Sequence, residues 1–273
     1  MNDFNRRQLL RSGGLALSFG AVLAACGSNR AGSTDPGRLG VAVPPEPLAP
    51  TEFNDLAVLR TLQSIQYTAL EVYARIADNG GLPGDDSGLA ERAVADHTRH
   101  ASELGAMISG AGGEEYTCAN AFQIERLVDP AFAAVEGDDT LAPTDDAERD
   151  LWQIANGFED WIGRCSQDAV GLIAEDISLR SGIMRLAGET TRLSSAFALH
   201  VNPDSFINPI LLGRDAMATD EMGFPIPYAL PSTFGQVTSI DLLLGSLSDE
   251  GGRVKLQLQT PAANSFIYAD DTC

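Results

Sequence analysis

The sequence predicts an all-α protein: a four-helix bundle with one long crossover connection, followed by an irregular C-terminal arm that includes a β-hairpin. Three observations lead there. Apolar residues recur at alternating spacings of three and four over four separate stretches, as expected of helices with one buried face. Short connections join the first stretch to the second and the third to the fourth, whereas the link between second and third is long. Beyond Asp204 the prolines Pro209, Pro225, Pro227 and Pro231 exclude a further long helix.

Taken in order, residues 1–25 read as a processing signal. Asn5-Arg6-Arg7-Gln8-Leu9-Leu10-Arg11 resembles a twin-arginine export signal, and the apolar run from Gly13 to Ala25 is too short to span a bilayer as a mature helix. It ends in Leu23-Ala24-Ala25-Cys26, which resembles a lipobox, where cleavage exposes a cysteine that takes a diacylglycerol anchor. The expectation is a domain held to the outer face of the cytoplasmic membrane through Cys26, not embedded in it. Residues 26–52, rich in Gly, Ser and Pro, read as a flexible tether.

The bundle is expected over residues 53–203. Helix A, about 53–78, carries Leu59, Leu62, Ala69, Tyr73 and Ile76 on one stripe, interrupted by Gln66. The run from Asn79 to Gly84 ends it, and Asp85, Asp86 or Ser87 caps helix B, about 88–109, whose stripe is Ala90, Ala93, His97, His100, Leu104 and Met107. A short helix is predicted near 121–127 within the crossover. Pro143-Thr144-Asp145 with Glu148 reads as a capping box opening helix C, which runs to about Ala174 with Trp152, Ala155, Ile162, Ala169 and Ile173, and Glu159 at its centre. Helix D follows a tight turn at Glu175-Asp176 and runs to Val201, where Asn202-Pro203 stops it. Its stripe is Leu179, Ile183, Leu186, Leu193 and Phe197, with Glu189 between and Arg192 at the edge. His200 reads as a cation favoured by the C-terminal end of the helix dipole.

In the arm, residues 204–273, a hairpin is predicted from 240–244 and 254–259 around a turn at Asp249-Glu250-Gly251-Gly252. The arm should fold over the bundle, since Phe206, Phe224, Phe234 and Phe266 would otherwise be exposed; the sharper alternative is an arm that docks a partner. Cys118, Cys165 and Cys273 cannot all pair within one chain, so at most one disulfide is expected.

Charge limits the partners. The chain is net −20, and because the first 25 residues hold three Arg and one acidic residue, the remainder is net −22. Nucleic acid and anionic lipid surfaces are therefore excluded as partners of the folded part, leaving the lipid anchor and an envelope protein. No phosphate-binding loop, dinucleotide fingerprint or nucleophile elbow is present.

Gln66, His97 with His100, Glu159 and Glu189 fall near the middle of their helices, so they should share one core layer, where polar groups must satisfy each other or a metal ion. The order Gln66-Tyr67, His97-x-x-His100, Glu159-Asp160 and Glu189-x-x-Arg192 resembles the ferritin-like family, particularly its exported bacterial branch. That resemblance implies a Glu on each of helices A and C and Glu-x-x-His on each of B and D, holding two iron or manganese ions. His100, Glu159 and Glu189 match the pattern. Gln66, His97 and Arg192 replace ligands, so the di-metal centre is degenerate.

Two states follow. In one, the layer is metal-free, Arg192 bridges Glu159 and Glu189, and a proton on His97 or His100 brings the charge to zero. In the other, His97, His100, Glu159 and Glu189 hold at most one divalent ion, iron, manganese or zinc, and the protein is a redox or metal-binding protein. With Arg192 facing solvent the balance moves toward the second.

Fractionation of cells tests the N-terminal reading: Cys26→Ala should move the protein from the membrane fraction into the soluble envelope fraction, and Arg6→Lys with Arg7→Lys should retain it in the cytoplasm. Membrane retention of Cys26→Ala would refute the anchor.

Overall fold

One helix is buried on nearly all sides, and the other elements are placed around it. This is α1 (Asp55–Asp78), which carries the expected apolar stripe and, on its other faces, the buried polar residues Arg60, Thr61, Gln63, Ser64 and Thr68. The computed structural model describes residues 53–85, 88–207, 239–248, 252–259 and 265–273. They are mostly helical, with one small two-stranded antiparallel sheet. Arg6, Arg7, Cys26, the tether, Pro209, Pro225, Pro227, Pro231, Phe224, Phe234 and residues 249–251 of the hairpin turn lie outside the described residues.

Along the chain follow α2 (Leu89–Gly110), the short α3 (Ala121–Gln123), a π-helical turn (Ile124–Val128), α4 (Asp129–Glu136), α5 (Ala147–Leu172) and α6 (Leu179–Val201). The strands are β1 (Ser239–Leu244) and β2 (Val254–Gln259). Packing pairs α1 with α2 and α5 with α6, while α1 also meets α5 and α2 meets α6. Close approach of α5 and α6 is possible because Gly163 has no side chain: a Cβ there would stand 3.1 Å from Thr191 Oγ1. No helix among the described residues is long and apolar enough to cross a membrane.

The helix ends follow local chemistry. Asn54 caps α1 by accepting from the Ala57 amide at 3.0 Å. Asp85 serves α2 from outside the helix, accepting from the Leu89 and Ala90 amides at 2.8 and 2.9 Å, while Gly88 takes the left-handed turn between them at φ 67°. The expected capping box before α5 is replaced by Asp146, which accepts from the Arg149 amide at 3.0 Å. Thr144 does not act as the cap because its hydroxyl donates to Asp150 at 2.6 Å. The short helix predicted in the crossover is longer than expected, since the π-helical turn and α4 continue it to Glu136.

The crossover and the C-terminal tail account for the polar flank of α1. Gln63 donates to the Ala101 carbonyl and to Glu115 and accepts from the Tyr116 amide. Asn120 meets Thr68 through its amide, and its side chain donates to Ser64 Oγ and to the Ser265 carbonyl. Arg60 donates to the carbonyls of Tyr268 and Asp271, and Thr61 accepts from the Ile267 amide. A disulfide between Cys118 and Cys273 joins the crossover to the last residue, and Cys165 is a buried thiol.

The two predicted strands pair antiparallel, with Ile240 opposite Leu258 and Leu244 opposite Val254. It rests on α5 where Gly157 leaves room for Leu242; a Cβ at 157 would collide with that side chain. Phe266 packs edge-on against Phe53, but Phe206 is 48% exposed, so the expectation that the arm covers it is corrected.

The turn into α6 depends on one buried carboxylate. Asp55 accepts from the amides of Ala174, Glu175 and Asp176 at 2.7, 3.0 and 2.7 Å. Truncation leaves three amides to find new partners, so Asp55→Ala should lower unfolding stability by about 3 kcal/mol, since a hydrogen bond to a charged group contributes roughly 1.5–3. Urea denaturation at neutral pH measures it.

Candidate functional site

The middle of the four long helices carries polar groups at core positions. Gln66 and Tyr73 lie seven residues apart on α1 and His97 and His100 three apart on α2, so each pair shares a helix face. Glu159 sits at the centre of α5 and Glu189 in α6. Gln66, Tyr73, His97, His100 and Glu159 are buried, whereas the Glu189 side chain is 18% exposed.

These residues form two clusters rather than one. The inner cluster centres on Glu159. Its Oε1 accepts from the Tyr73 hydroxyl at 2.6 Å and lies 2.9 Å from His97 Nε2. On the opposite side of the ring, His97 Nδ1 lies 2.8 Å from Gln66 Oε1. Both ring nitrogens thus face oxygens, so the ring is held between Gln66 and Glu159. Burial, reinforced by the Glu159 charge, holds the Tyr73 phenol well above its ordinary pKa, so Tyr73 serves as a neutral donor.

The outer cluster centres on Glu189. His100 Nε2 and Arg99 approach Glu189 Oε2 at 2.9 and 2.8 Å, and Arg185 donates to Oε1 at 3.1 Å. Arg99 also binds Asp96 at 2.9 Å and Glu103 at 3.0 Å, and Arg185 reaches Glu103 as well. Partial burial alone would raise the Glu189 pKa; the hydrogen bonds from His100, Arg99 and Arg185 overcome it and bring the value down to about 2. Burial pushes His100 below its usual pKa, against the opposing hydrogen bond to Glu189. A neutral His100 that donates from Nε2 to an ionised carboxylate leaves Nδ1 as its lone-pair nitrogen.

His97, His100, Glu159 and Glu189 are therefore brought to one layer, but as separate His–Glu pairs. Among the described residues no group of three or more His, Cys, Asp or Glu side chains is placed to hold a metal ion. A guanidinium on Glu189 opposes a cation at that carboxylate, so in this arrangement the donors do not fit a shared ion.

Of the two positions weighed for Arg192, the solvent-facing one is observed: it does not bridge Glu159 and Glu189 but is exposed, at a surface cleft between α2 and α6. Three residues beyond Glu189, it sits outside the face that Leu186 and Leu193 bury, whereas Arg99 reaches Glu189 across the α2–α6 contact. His200 does lie in the last turn of α6, and its ring also stacks on Trp152 with centroids 4.0 Å apart.

Three contributors escaped the sequence reading. Tyr73 was counted as apolar, though a buried phenol needs a hydrogen-bond partner. Arg99 and Arg185 are readable from spacing: Asp96-x-x-Arg99-x-x-x-Glu103 and Arg185-x-x-x-Glu189 are intrahelical pairs of opposite charge.

No family model, curated protein or solved structure matches the chain.

The shifts predict acid sensitivity. A histidine held neutral by burial stabilises the fold above its free pKa of 6.5 and loses that contribution as pH falls below it. Glu189, with its pKa depressed, contributes fully above its free value of 4.5 and loses that contribution as pH falls toward about 2. The melting temperature should decline in both windows; His100→Gln should flatten the upper one and Glu189→Gln the lower, as read by thermal denaturation against pH.

Proposed function

We propose that the four long helices form a ferritin-like four-helix bundle, lipid-anchored through Cys26 after twin-arginine export. Its degenerate di-metal centre serves as a structural polar layer, and the protein works as a binding or accessory protein of the cell envelope. The observation that carries this reading is that protein groups engage both carboxylates: Tyr73 and His97 on Glu159 Oε1, and His100, Arg99 and Arg185 on Glu189. Groups arranged to turn over a substrate or change oxidation state would keep an open coordination position.

The pairing of α1 with α2 and α5 with α6 across a long connection supports the bundle reading. The acidic composition supports an extracytoplasmic domain that meets its membrane through the anchor alone. A disulfide closing the C-terminal tail is consistent with an oxidising compartment.

One observation favours the competing reading, a redox or metal-binding protein with a single iron, manganese or zinc ion at His97, His100, Glu159 and Glu189. Glu159 Oε2 and His100 Nδ1 are both buried with no hydrogen-bond partner, and both are atoms that ligate metals. Elemental analysis of protein purified without chelator separates the two. Substoichiometric metal, unchanged in His100→Ala, supports the structural layer; one ion per chain that disappears in His100→Ala overturns it.

A further inference from the structure

Beside the outer cluster, α2 and α6 flank an open cleft of about 230 Å³. Leu89, Leu193 and Ala196 line it with apolar surface, Asp96 and Glu189 with carboxylates, and Arg92 and Arg192 with guanidinium groups. Arg192 is exposed and forms no ion pair among the described residues. In a chain of net charge −20, an uncommitted arginine at a concave surface is a departure from the general surface.

The carboxylates of the cleft are already neutralised from behind. Asp96 is held by Arg92 at 2.8 Å and Arg99 at 2.9 Å. Glu189 is held by Arg99 and Arg185, which also share Glu103. Arg92, Arg99, Arg185 and Arg192 therefore stand against Asp96, Glu103, Glu189 and Asp85, whose carboxylate accepts from the Leu89 and Ala90 amides, so the charges about the cleft balance and Arg192 is the lining guanidinium without an ion pair among the described residues.

We propose that this cleft binds a small organic monoanion, with its carboxylate paired to the Arg192 guanidinium and its short apolar body against Leu89, Leu193 and Ala196. An arginine fork matches a carboxylate with two parallel hydrogen bonds. A single unpaired guanidinium fits a monoanion, since a second negative charge would face Asp96 and Glu189 without a partner. Apolar surface beside the guanidinium favours an aliphatic or aromatic acid over an inorganic ion. This site stands apart from the membrane anchor and from the ancestry of the polar layer.

The test is a titration of the full chain with sodium acetate and sodium butanoate at constant ionic strength, followed by amide and arginine side-chain NMR shifts. Saturable shifts are expected at Leu89, Arg192, Leu193 and Ala196. Butanoate should bind about tenfold more tightly than acetate, because two further methylenes leave water. Arg192→Gln, at an exposed position without an ion pair, should weaken butanoate at least about tenfold, the effect of losing roughly 1.4 kcal/mol; Arg126→Gln, at an exposed site on the crossover, should leave it unchanged. Non-saturating shifts, equal affinity for the two acids, or undiminished binding by Arg192→Gln would overturn the proposal.

Discussion

A carboxylate removed from water at the centre of α5 is the constraint on which the core arrangement depends. A carboxyl group in an apolar interior is tolerable only when hydrogen-bond partners meet it, because an uncompensated buried polar or charged group costs a large share of the stability of a typical domain. Tyr73 donates to it, His97 stands within hydrogen-bond distance of the same oxygen, and Gln66 meets the other side of the His97 ring. The chain Gln66–His97–Glu159–Tyr73 leaves α1, leads through α2 and α5 and returns to α1. It thereby pins three helices at one depth, because shifting any of them by a turn would leave a polar group without its partner.

The outer cluster obeys a different balance. Glu189 is partly exposed and surrounded by arginines whose own carboxylates are shared, so its charge is neutralised in a network rather than in one pair. Such networks contribute less per pair than buried bonds and respond to salt. One layer thus combines a dry pair that sets helix register with a wet network that meets solvent. Elsewhere the polar flank of α1 is handled by backbone groups of the crossover and tail, and the Cys118–Cys273 disulfide closes that cover.

Much of this was legible in residue order. The three-four spacing placed all four long helices to within a few residues, and the alternation of Val254, Leu256 and Leu258 with polar neighbours placed the second strand of the hairpin. The layer residues were identifiable because Gln66, His97, His100 and Glu159 break apolar stripes. What periodicity could not show is which guanidinium reaches Glu189. Arg192 and Arg99 are both a short arc from the core face of their helices, and only the rotation of α2 against α6 decides between them. The burial of Gln63, Ser64 and Thr68 was equally hidden, since it arises from segments distant in sequence that fold over α1. The cap at Asp146 displaced Thr144 because Asp150, one turn inside the helix, competes for the threonine hydroxyl.

A layer that holds itself together and a layer built around an ion differ in where the coupling between its members comes from. The decisive measurement is the coupling free energy between His97 and Glu159, obtained from a double-mutant cycle of His97→Gln and Glu159→Gln by denaturant unfolding, once with metals chelated and once with saturating zinc or manganese. A self-satisfied structural layer predicts a coupling of about 2 kcal/mol or more, within the range for contacting buried groups, and the same in both conditions. Coupling near zero under chelation that emerges only with metal would contradict the account.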